Sequence, residues 1–271
     1  MNPFPDVVRI EPYGGNCNFR CRHCPTGMQG GKRGMLSFDN FKILFDRLPI
    51  IPRVLVMYHG SEPLVNKELP LMLRYAKEKG VKKTLLNTNA ALIKGVIPDL
   101  DEMRVSFDGE SPEENNFIRR NGNFAKQAPK VLEVAKAGQN VVIYNAKATG
   151  GLRSEPAKYL TDFFGGAVRY RTEAMRLWSS QDTALEGHEF VEMPTRATYC
   201  SDLFTTFTIM SDGNVPKCCE DLPGEYTYGN ACTEMPLDIW ERMQTIRDRF
   251  SKGDYPDVCA SCWVVAGRYV K

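Results

Sequence analysis

The sequence predicts an α/β fold: a partial (β/α)6 barrel that carries a small C-terminal domain with a β-hairpin and a helix. Three observations predict it. Short apolar runs and amphipathic stretches alternate about six times between residues 7 and 172, the alternation then stops, and nine cysteines fall into two separate groups. Repeated strand–helix units imply parallel strands joined by right-handed crossovers. Six units are fewer than the eight of a closed barrel, so another part of the chain should cover the open side.

The barrel elements follow from local patterns taken in chain order. Ser37 is expected to cap the first helix, whose apolar residues recur at helical spacing, and Gly80 is expected to end the second. Pro129 should lie early in the third helix or kink it. Strands are predicted at 7–11, 53–60, 81–89, 102–109, 140–148 and 167–172, and helices at 38–48, 67–80, 123–138 and 154–166.

The rest of the chain first lacks a sustained period and then becomes rich in cysteine. The predicted barrel comprises residues 1–172. A linker or lid is predicted at 173–199, and a small auxiliary domain at 200–271. Two short apolar runs around Asp212 and Gly213 predict a hairpin. An amphipathic helix is predicted at 236–253, with its apolar residues on one face.

Composition excludes several classes of function. The chain has 35 Lys and Arg against 33 Asp and Glu, and this balance gives no electrostatic argument for a nucleic acid or a membrane surface as partner. No apolar run approaches the roughly 20 residues that span a bilayer, and the N-terminus does not resemble a signal peptide. We therefore expect a cytoplasmic protein whose nine cysteines are metal ligands rather than disulfides.

The first cysteine group, Cys17, Cys21 and Cys24, lies in a loop that directly follows the first strand. A closed structural metal site takes four ligands, and the next cysteine, Cys200, is far along the chain. Three thiolates leave one position of a metal centre open to an outside ligand. A zinc site with a distant fourth ligand is the alternative. Parallel α/β folds bind ligands at the C-terminal ends of their strands, so the loop should lie at the barrel mouth.

The spacing C-x3-C-x2-C after strand one resembles that of the radical SAM (S-adenosylmethionine) enzymes. The resemblance implies a [4Fe–4S] cluster on the three cysteines, with its free iron chelated by SAM. It also implies that an electron from a reducing donor such as flavodoxin or ferredoxin splits the sulfonium bond of SAM. A 5′-deoxyadenosyl radical would then remove a hydrogen atom from the substrate, while the protein positions the cofactors.

Further segments resemble the motifs of this family. The stretch HGSEP is similar to the family's Gly-Gly-Glu-Pro segment, which implies that Gly60, Ser61 and Glu62 bind the methionine amino group of SAM. Ser61 departs from the usual second glycine. The stretch NTNA is similar to the usual Thr-Asn-Gly after strand three, which adds Asn89 to the cofactor-binding residues.

Two more cofactor contacts are implied by the same resemblance. The stretch VSFDG matches the family's strand-four segment and makes Ser106 a candidate for the ribose or the carboxylate of SAM. His23 stands where the family most often has an aromatic residue near adenine, and an imidazole can stack there too. The alternative is a half-exposed loop histidine without a role.

The second cysteine group resembles the SPASM/twitch extension of radical SAM enzymes. The shared features are a strand pair around DGNV, a CC pair followed by acidic residues, a helix with a tryptophan, and a final C-x2-C. The resemblance implies an auxiliary iron–sulfur cluster whose four ligands match Cys200, Cys218, Cys259 and Cys262. A structural zinc ribbon is the alternative, since C-x2-C is a common zinc half-site.

Two cysteines of this group are left over. Cys219 and Cys232 either behave as small apolar residues or place a thiol beside the substrate as a hydrogen-atom donor. The spacing is also similar to that of the 2-deoxy-scyllo-inosamine dehydrogenases of antibiotic biosynthesis. That resemblance implies polar substrate contacts at Arg171 and Glu220, each of which could equally be half of a structural ion pair. Tyr58 should also face the barrel mouth.

We therefore expect a radical SAM dehydrogenase with two [4Fe–4S] clusters that oxidises an alcohol of a small cyclitol or aminosugar-like substrate to a ketone. The auxiliary cluster would accept an electron. One alternative is an epimerase in which a spare cysteine returns a hydrogen atom. Another is a peptide-modifying maturase, expected less because strand one begins at residue 7, where such enzymes often carry a leader-binding domain. The fourth is a non-catalytic zinc-binding protein.

Overall fold

The computed structural model describes residues 4–26, 33–148, 155–176, 189–192, 194, 196–224 and 226–270. Its strands are β1 Val7–Ile10, β2 Val54–Val56, β3 Lys83–Thr88, β4 Glu102–Ser106, β5 Val141–Lys147, β6 Arg169–Ala174, β7 Phe190–Glu192, β8 Thr206–Ile209, β9 Asn214–Pro216, β10 Thr227–Asn230 and β11 Arg268–Val270. A seven-stranded sheet has the order β6-β5-β4-β3-β2-β1-β8, and all its neighbours are parallel. The predicted α/β partial barrel is confirmed.

The helices are α1 Phe38–Asp46, α2 Leu69–Glu78, α3 Pro112–Ile118, α4 Phe124–Lys136, α5 Lys158–Phe164, α6 Ser201–Thr205, α7 Pro236–Arg242, α8 Gln244–Ser251, α9 Asp257–Ala260 and α10 Trp263–Ala266. The helices predicted for the barrel are present with shorter ends, and Ser37 caps α1 by accepting a hydrogen bond from the Asn40 N–H at 3.2 Å. Pro129 lies inside α4, in its first half. Helix α3 is not among the helices predicted from the sequence.

The strands present two contrasting faces, because successive side chains point to opposite sides of a sheet. On the outer face, residues such as Ile10, Leu86 and Ile143 are fully buried and join the core formed with the helices. The inner face carries polar side chains in register across neighbouring strands. Examples from β1, β3, β4, β5 and β6 are Arg9, Asn87, Arg104, Ser106, Tyr144 and Arg171.

The seventh strand, β8, comes from the C-terminal part of the chain and closes the open edge of β1. It pairs with β1 in parallel, from Val7 opposite Thr206 to Ile10 opposite Ile209. The Glu11 N–H extends this ladder by donating to the Ile209 carbonyl at 2.9 Å. The side of the barrel that the six units leave open is thus extended by a strand of the cysteine-rich region.

The strand pair of the small domain differs from the predicted hairpin in its partners. The two runs around Asp212 and Gly213 do flank a turn, since Gly213 has φ = +84° and the Met210 N–H donates to the Asn214 carbonyl at 2.8 Å. The first run, however, is β8 and joins the large sheet, whereas the second is β9 and pairs with β10 in antiparallel fashion.

The amphipathic helix predicted at 236–253 forms as two helices, α7 and α8, that meet at Met243. Its predicted apolar face is buried, with Ile239, Met243, Ile246 and Phe250 at most 3% exposed. Of the predicted linker or lid at 173–199, residues 177–188, 193 and 195 lie outside the described residues. In the part of the chain that is described, no helix is long and apolar enough to cross a membrane.

Candidate functional site

A cleft with a cavity volume of about 500 Å³ lies at the C-terminal ends of the barrel strands, within the range of ~300–1,000 Å³ usual for ligand sites. It brings together most of the residues that the sequence predicts for function. They are Cys17, Cys21, His23, Cys24, Gly60, Ser61, Glu62, Asn89, Ser106, Arg171, Cys219 and Glu220.

The loop of the first three cysteines is held against the turn between α3 and α4. The Arg20 N–H donates to the Arg120 carbonyl, and the Arg22 N–H donates to the Ile118 carbonyl, each at 2.9 Å. The Arg22 guanidinium also donates to the Phe117 carbonyl at 3.1 Å and stacks on that ring. The unpredicted helix α3 therefore positions the cysteine loop.

Burial disfavours the ionised form of the thiols in this loop. It raises the pKa of Cys17, and it raises the pKa of Cys21 to about 12 although the nearby Arg119 charge acts the other way. Repulsion from the Cys24 thiolate raises the pKa of both further, so the three side chains lie close enough to interact. Bound iron would offset these effects, because metal ligation stabilises thiolates.

The Glu62 carboxylate joins the turn after β2 to the end of β3. Its Oε1 accepts hydrogen bonds from the Thr88 hydroxyl at 2.7 Å and the Leu64 N–H at 3.1 Å, while Oε2 accepts from the Asn89 N–H at 2.8 Å. Burial raises the pKa of Glu62, and these hydrogen bonds act against that rise. Glu62 is 3% exposed and lines the cleft at a fixed position.

The neighbouring Gly60 and Ser61 fasten the same turn to the N-terminal part of the chain. The Gly60 N–H donates to Glu11 Oε1 at 3.2 Å, and Glu11 is held in turn by two contacts to Arg33 at 2.9 and 3.0 Å. The Ser61 hydroxyl donates to the Gly15 carbonyl at 2.6 Å. A serine in place of the family's glycine therefore adds a hydrogen bond between the turn and the start of the cysteine loop.

Asn89 contacts the start of the cysteine loop, and His23 lies within the loop, between Cys21 and Cys24. Asn89 Nδ2 donates to Asn18 Oδ1 at 2.8 Å and lies 3.9 Å from Cys17 Sγ. His23 Nε2 lies 3.9 Å from Asp108 Oδ2, and its Nδ1 is buried with no hydrogen-bond partner among the described residues. Burial lowers the pKa of His23, so the ring is neutral near pH 7. Ser106, the last residue of β4, faces the cleft from the barrel side.

A second cavity contains the four predicted auxiliary cysteines: Cys200, Cys218, Cys259 and Cys262. They come from four places, before α6, after β9, in α9 and before α10. Burial raises the pKa of Cys259 to about 11, and the Lys217 charge acts against that rise. The Lys217 side chain is 1% exposed, with its Nζ 4.1 Å from the centroid of the Tyr226 ring. The structure thus brings the four thiols and a buried cation together.

The two cavities share a wall formed by Asp202, Cys219, Glu220 and Trp263, each of which lines both. The Trp263 Nε1–H donates to Glu220 Oε1 at 3.2 Å, whereas Glu220 Oε2 has no hydrogen-bond partner among the described residues. Burial raises the pKa of Glu220 to about 7. Glu220 therefore offers a free buried acceptor beside the cleft.

The two remaining predicted residues are placed differently. Arg171 lies on β6 at the cleft, where its Nε pairs with Glu173 Oε1 at 2.8 Å. Cys232 lines neither cavity; it lies beside the turn at Gly213, where an added Cβ would stand 2.5 Å from the Cys232 Sγ. The structure does not bring Cys232 to the cleft.

Several cleft residues have no motif in the sequence, among them Arg9, Arg104 and Tyr144. Arg9 and Arg104 are isolated polar residues within apolar strand runs, VVRI and EMRVS, which is the one signal that could have identified them. Arg119 also lines the cleft; it lies in the stretch IRRNGNF at 118–124, which is typical of this branch of the family, and pairs with Asp108 at 2.7 Å, close to Cys21. These side chains converge only after the strands pair.

Comparison with known protein families agrees with this geometry. The radical SAM superfamily model matches residues 12–151, more than half of the 271-residue chain. A model named SPASM, described as an iron–sulfur cluster-binding domain, matches residues 200–263. The second description favours an iron–sulfur cluster over zinc at the auxiliary cysteines.

Curated relatives of this chain carry out varied reactions. The GTP 3′,8-cyclase of Hydrogenovibrio crunogenus is 28% identical over 227 residues, which cover 77% of this chain and 67% of that protein. The PqqA peptide cyclase of Rhodopseudomonas palustris is 30% identical over 127 residues, which cover 44% of this chain and 33% of that protein. The chain spans 24%, 67% and 68% of the length of the first three curated relatives it matches.

A solved structure of BtrN, in complex with AdoMet and 2-DOIA, has a similar fold. The TM-score is 0.59 at 17% sequence identity, and the match covers 97% of this chain and 94% of BtrN. At this level of identity the likeness extends to the fold, which includes the barrel and the C-terminal part.

The two domains imply a [4Fe–4S] cluster with SAM and additional iron–sulfur in the SPASM domain. The residues fit these groups, since one loop offers three thiols to the cleft and the four predicted auxiliary cysteines line the second cavity. The buried Asn87 Oδ1 and His23 Nδ1 line the cleft with no hydrogen-bond partner among the described residues and are available to a cofactor. No three His, Cys, Asp or Glu side chains of the described ranges are close enough to hold a single metal ion, which is smaller than an iron–sulfur cluster.

The motif matches, the barrel and the two cysteine sites converge on one assignment. Residues 12–151 contain the three-cysteine loop of the cleft, and residues 200–263 contain the four predicted auxiliary cysteines that line the second cavity. This chain belongs to the radical SAM superfamily and carries a C-terminal SPASM domain.

Proposed function

We propose that the protein is a radical SAM dehydrogenase that oxidises a secondary alcohol of a small hydroxylated, cyclitol or aminosugar-like molecule to a ketone. The substrate loses a hydrogen atom from carbon, a proton from its hydroxyl and one further electron, so that the C–O single bond becomes C=O. When bound, SAM and the N-terminal cluster supply the hydrogen-atom abstraction, and the auxiliary cluster supplies the electron acceptor.

The observation that carries this proposal is the wall shared by the two cavities. Asp202, Cys219, Glu220 and Trp263 line both, so one layer of side chains separates a molecule in the cleft from the auxiliary cysteines. Five thiols line the second cavity: the four predicted ligands Cys200, Cys218, Cys259 and Cys262, and Cys219 of the shared wall. A cluster held by four cysteines has no position free for substrate, which suits it to electron transfer.

Two side chains of the cleft support an alcohol substrate. Glu220 uses Oε1 for the Trp263 N–H and keeps Oε2 for a substrate hydroxyl. Arg171 holds Glu173 through Nε, and its NH1 lies 3.4 Å from the Tyr144 hydroxyl. An acceptor and a planar donor at the same cleft would fix the orientation of a hydroxylated ring.

The test uses anaerobically reconstituted protein, a panel of inositols and aminocyclitols, and measurement of ketone and 5′-deoxyadenosine. We expect Cys218→Ala to keep SAM cleavage but to lower ketone yield by about tenfold or more, because the second electron loses its acceptor. Cys232→Ala, outside both cavities, is the matched control and should keep the wild-type ratio. Full ketone yield from Cys218→Ala would exclude this role of the auxiliary cluster.

The second candidate is an epimerase in which Cys219 returns a hydrogen atom to the substrate radical. It is favoured by the position of Cys219, which lines the cleft, whereas Cys232 does not. Incorporation of solvent deuterium into product without net oxidation would select it, and Cys219→Ala would then abolish that incorporation.

A peptide-modifying maturase is the third candidate, supported by the similarity to a peptide cyclase. For any of the three we propose a flavodoxin or ferredoxin as the reducing partner. We also propose that residue 172 ends the barrel domain and that residue 199 ends the linker or lid that precedes the auxiliary domain. Turnover of small cyclitols, or of peptides only, separates the first candidate from the third.

A further inference from the structure

The inner face of the barrel carries three arginines at the cleft: Arg9 on β1, Arg104 on β4 and Arg171 on β6. Each gives one nitrogen to a carboxylate. The Arg9 NH2 contacts Asp202 Oδ1 at 2.9 Å, the Arg104 Nε contacts Glu102 Oε1 at 2.6 Å, and the Arg171 Nε contacts Glu173 Oε1 at 2.8 Å. A guanidinium has five N–H donors, so each retains donors for a ligand.

Arg9 is the one whose free donors are buried. The residue is 9% exposed, and its Nε and NH1 have no hydrogen-bond partner among the described residues. Burying a charged donor without a partner is unfavourable, and such groups in folded proteins are usually satisfied. Unpartnered guanidinium donors at a ligand-sized cleft therefore point to a ligand that accepts from them.

Two tyrosines fix the orientation of these arginines. The Arg9 Cζ lies 5.7 Å from the centroid of the Tyr58 ring, and the Cζ atoms of Arg104 and Arg171 each lie 5.3 Å from the centroid of the Tyr144 ring. A guanidinium held against an aromatic ring keeps its in-plane N–H donors free for bidentate contacts to a carboxylate or phosphate.

The surroundings of Arg9 assign the ligand to the substrate rather than to SAM. Its charge interacts with Cys219, Tyr58, Asp202, Glu220 and His59, and Cys219, Asp202 and Glu220 belong to the wall of the auxiliary cavity. The segments that the family uses for SAM are the cysteine loop, the turn after β2 and the ends of β3 and β4, whereas the carboxylate paired with Arg9 comes from α6. Among the described residues, Asp202 is the carboxylate that pairs with Arg9, through a single nitrogen.

We infer that the substrate carries an anionic group, a phosphate or a carboxylate, that binds the free donors of Arg9 with support from Arg104 and Arg171. This inference rests on the proposed function for the reacting hydroxyl and adds the chemical class of the substrate. An anion bound by Arg9 holds one end of the substrate in place. Its hydroxylated end then extends toward the cofactors and Glu220.

Binding alone tests the inference, without turnover. Reconstituted protein saturated with SAM is titrated by calorimetry with inorganic phosphate, glucose 6-phosphate, glucuronate and glucose. We expect glucose 6-phosphate or glucuronate to bind at least tenfold more tightly than glucose, and the better of the two identifies the anion. Equal affinity for all the sugars would overturn the inference. A second titration uses reconstituted protein without SAM. If inorganic phosphate binds that protein but not the SAM-saturated protein, the inference is also overturned, because the anion site would then belong to the SAM carboxylate.

Variants locate the site. Arg9→Gln should lower the ratio of the affinities for the anionic sugar and for glucose at least tenfold. Arg53 is an exposed arginine outside the cleft, so Arg53→Gln should leave this ratio unchanged. Arg9→Lys keeps a positive charge beside Asp202, so this variant should fold even if Arg9→Gln does not. It should lose part of the preference for the anionic sugar over glucose. An unchanged preference in folded Arg9→Lys and Arg9→Gln would overturn the role of Arg9. Failure of alcohol oxidation with intact anion preference would instead refute the proposed function alone.

Discussion

His59, beside the turn that carries Gly60 and Ser61, is a half-buried imidazole near cationic side chains. Burial, together with the charges of Arg9 and Arg33, lowers its pKa to about 4, although Glu11 acts in the opposite direction. The ring is therefore neutral in the folded state at neutral pH. An unfolded histidine has a pKa of about 6.5, so acid conditions favour the unfolded chain, which binds the proton more readily.

The expected result is a pH-dependent stability difference between the wild type and His59→Gln. The wild-type stability from this group is fully present above pH ~6.5 and is lost as the pH falls toward 4, by about 2 kcal/mol at pH 5. His59→Gln lacks this loss. Anaerobic urea unfolding at pH 7.5 and pH 5.0, with iron content measured alongside, gives the comparison. An identical stability difference at both pH values would contradict it.

Single residues also show where sequence reasoning succeeds and where it stops. Cys17 and Glu62 belong to contiguous motifs whose spacing carries their chemistry, so they could be named without a structure. Arg9 belongs to no motif, and VVRI alone does not tell a cleft-facing arginine from a solvent-facing one. The placement of Asp202 beside Arg9 depends on an approach between positions 193 residues apart, which no local pattern encodes.

At the scale of elements, the cysteine loop depends on the turn that follows α3. Gly122 closes this turn with its N–H bonded to the Arg119 carbonyl at 2.6 Å. An added Cβ at Gly122 would stand 2.7 Å from that carbonyl oxygen and 2.8 Å from the ring of Phe19, between Cys17 and Cys21. Neither distance is tolerated without a shift of the backbone or of the loop.

Gly122→Ala should therefore destabilise the protein by about 1–3 kcal/mol through overpacking and impair cluster loading at the first three cysteines. We expect it to lower SAM cleavage and iron content, whereas the auxiliary cluster stays loaded. Gly166→Ala is the matched control, because a Cβ there meets no atom within 4 Å. Iron analysis and SAM cleavage after anaerobic reconstitution measure both variants. Wild-type values for Gly122→Ala would show that the turn does not position the loop.

The sequence patterns missed helix α3 and the pairing partner of strand β8, each for a physical reason. Helix α3, PEENNFI, is seven residues long and mostly polar, so it lacks the apolar periodicity that marks a helix. The two runs around Asp212 predict a hairpin, because close strands are commonly connected in that way. All four residues of β8 are nevertheless buried, which is typical of a strand of a parallel sheet with both faces covered, and β8 forms the edge of that sheet beside β1.

For the whole molecule, the two cysteine sites predict the total iron content. Reconstituted wild type should bind about eight irons per chain if both sites hold cubane clusters. Replacement of Cys200, Cys218, Cys259 and Cys262 by alanine should leave about four irons and retain SAM cleavage, because the three-cysteine loop is separate from that cavity. Iron and sulfide analysis checks this count. Zinc in place of iron at the C-terminal site after anaerobic purification would contradict it.

The pairing of β8 with β1 has a consequence for how the chain reaches its native state. The Ser211 N–H donates to the Glu11 carboxylate across 200 positions of sequence. Such non-local contacts carry a large loop-closure entropy and slow folding. During synthesis β1 emerges early, and its edge stays uncovered until the residues of β8 have been made. That interval exposes the nascent protein to misassociation, and prompt chaperone protection should raise the yield of soluble enzyme.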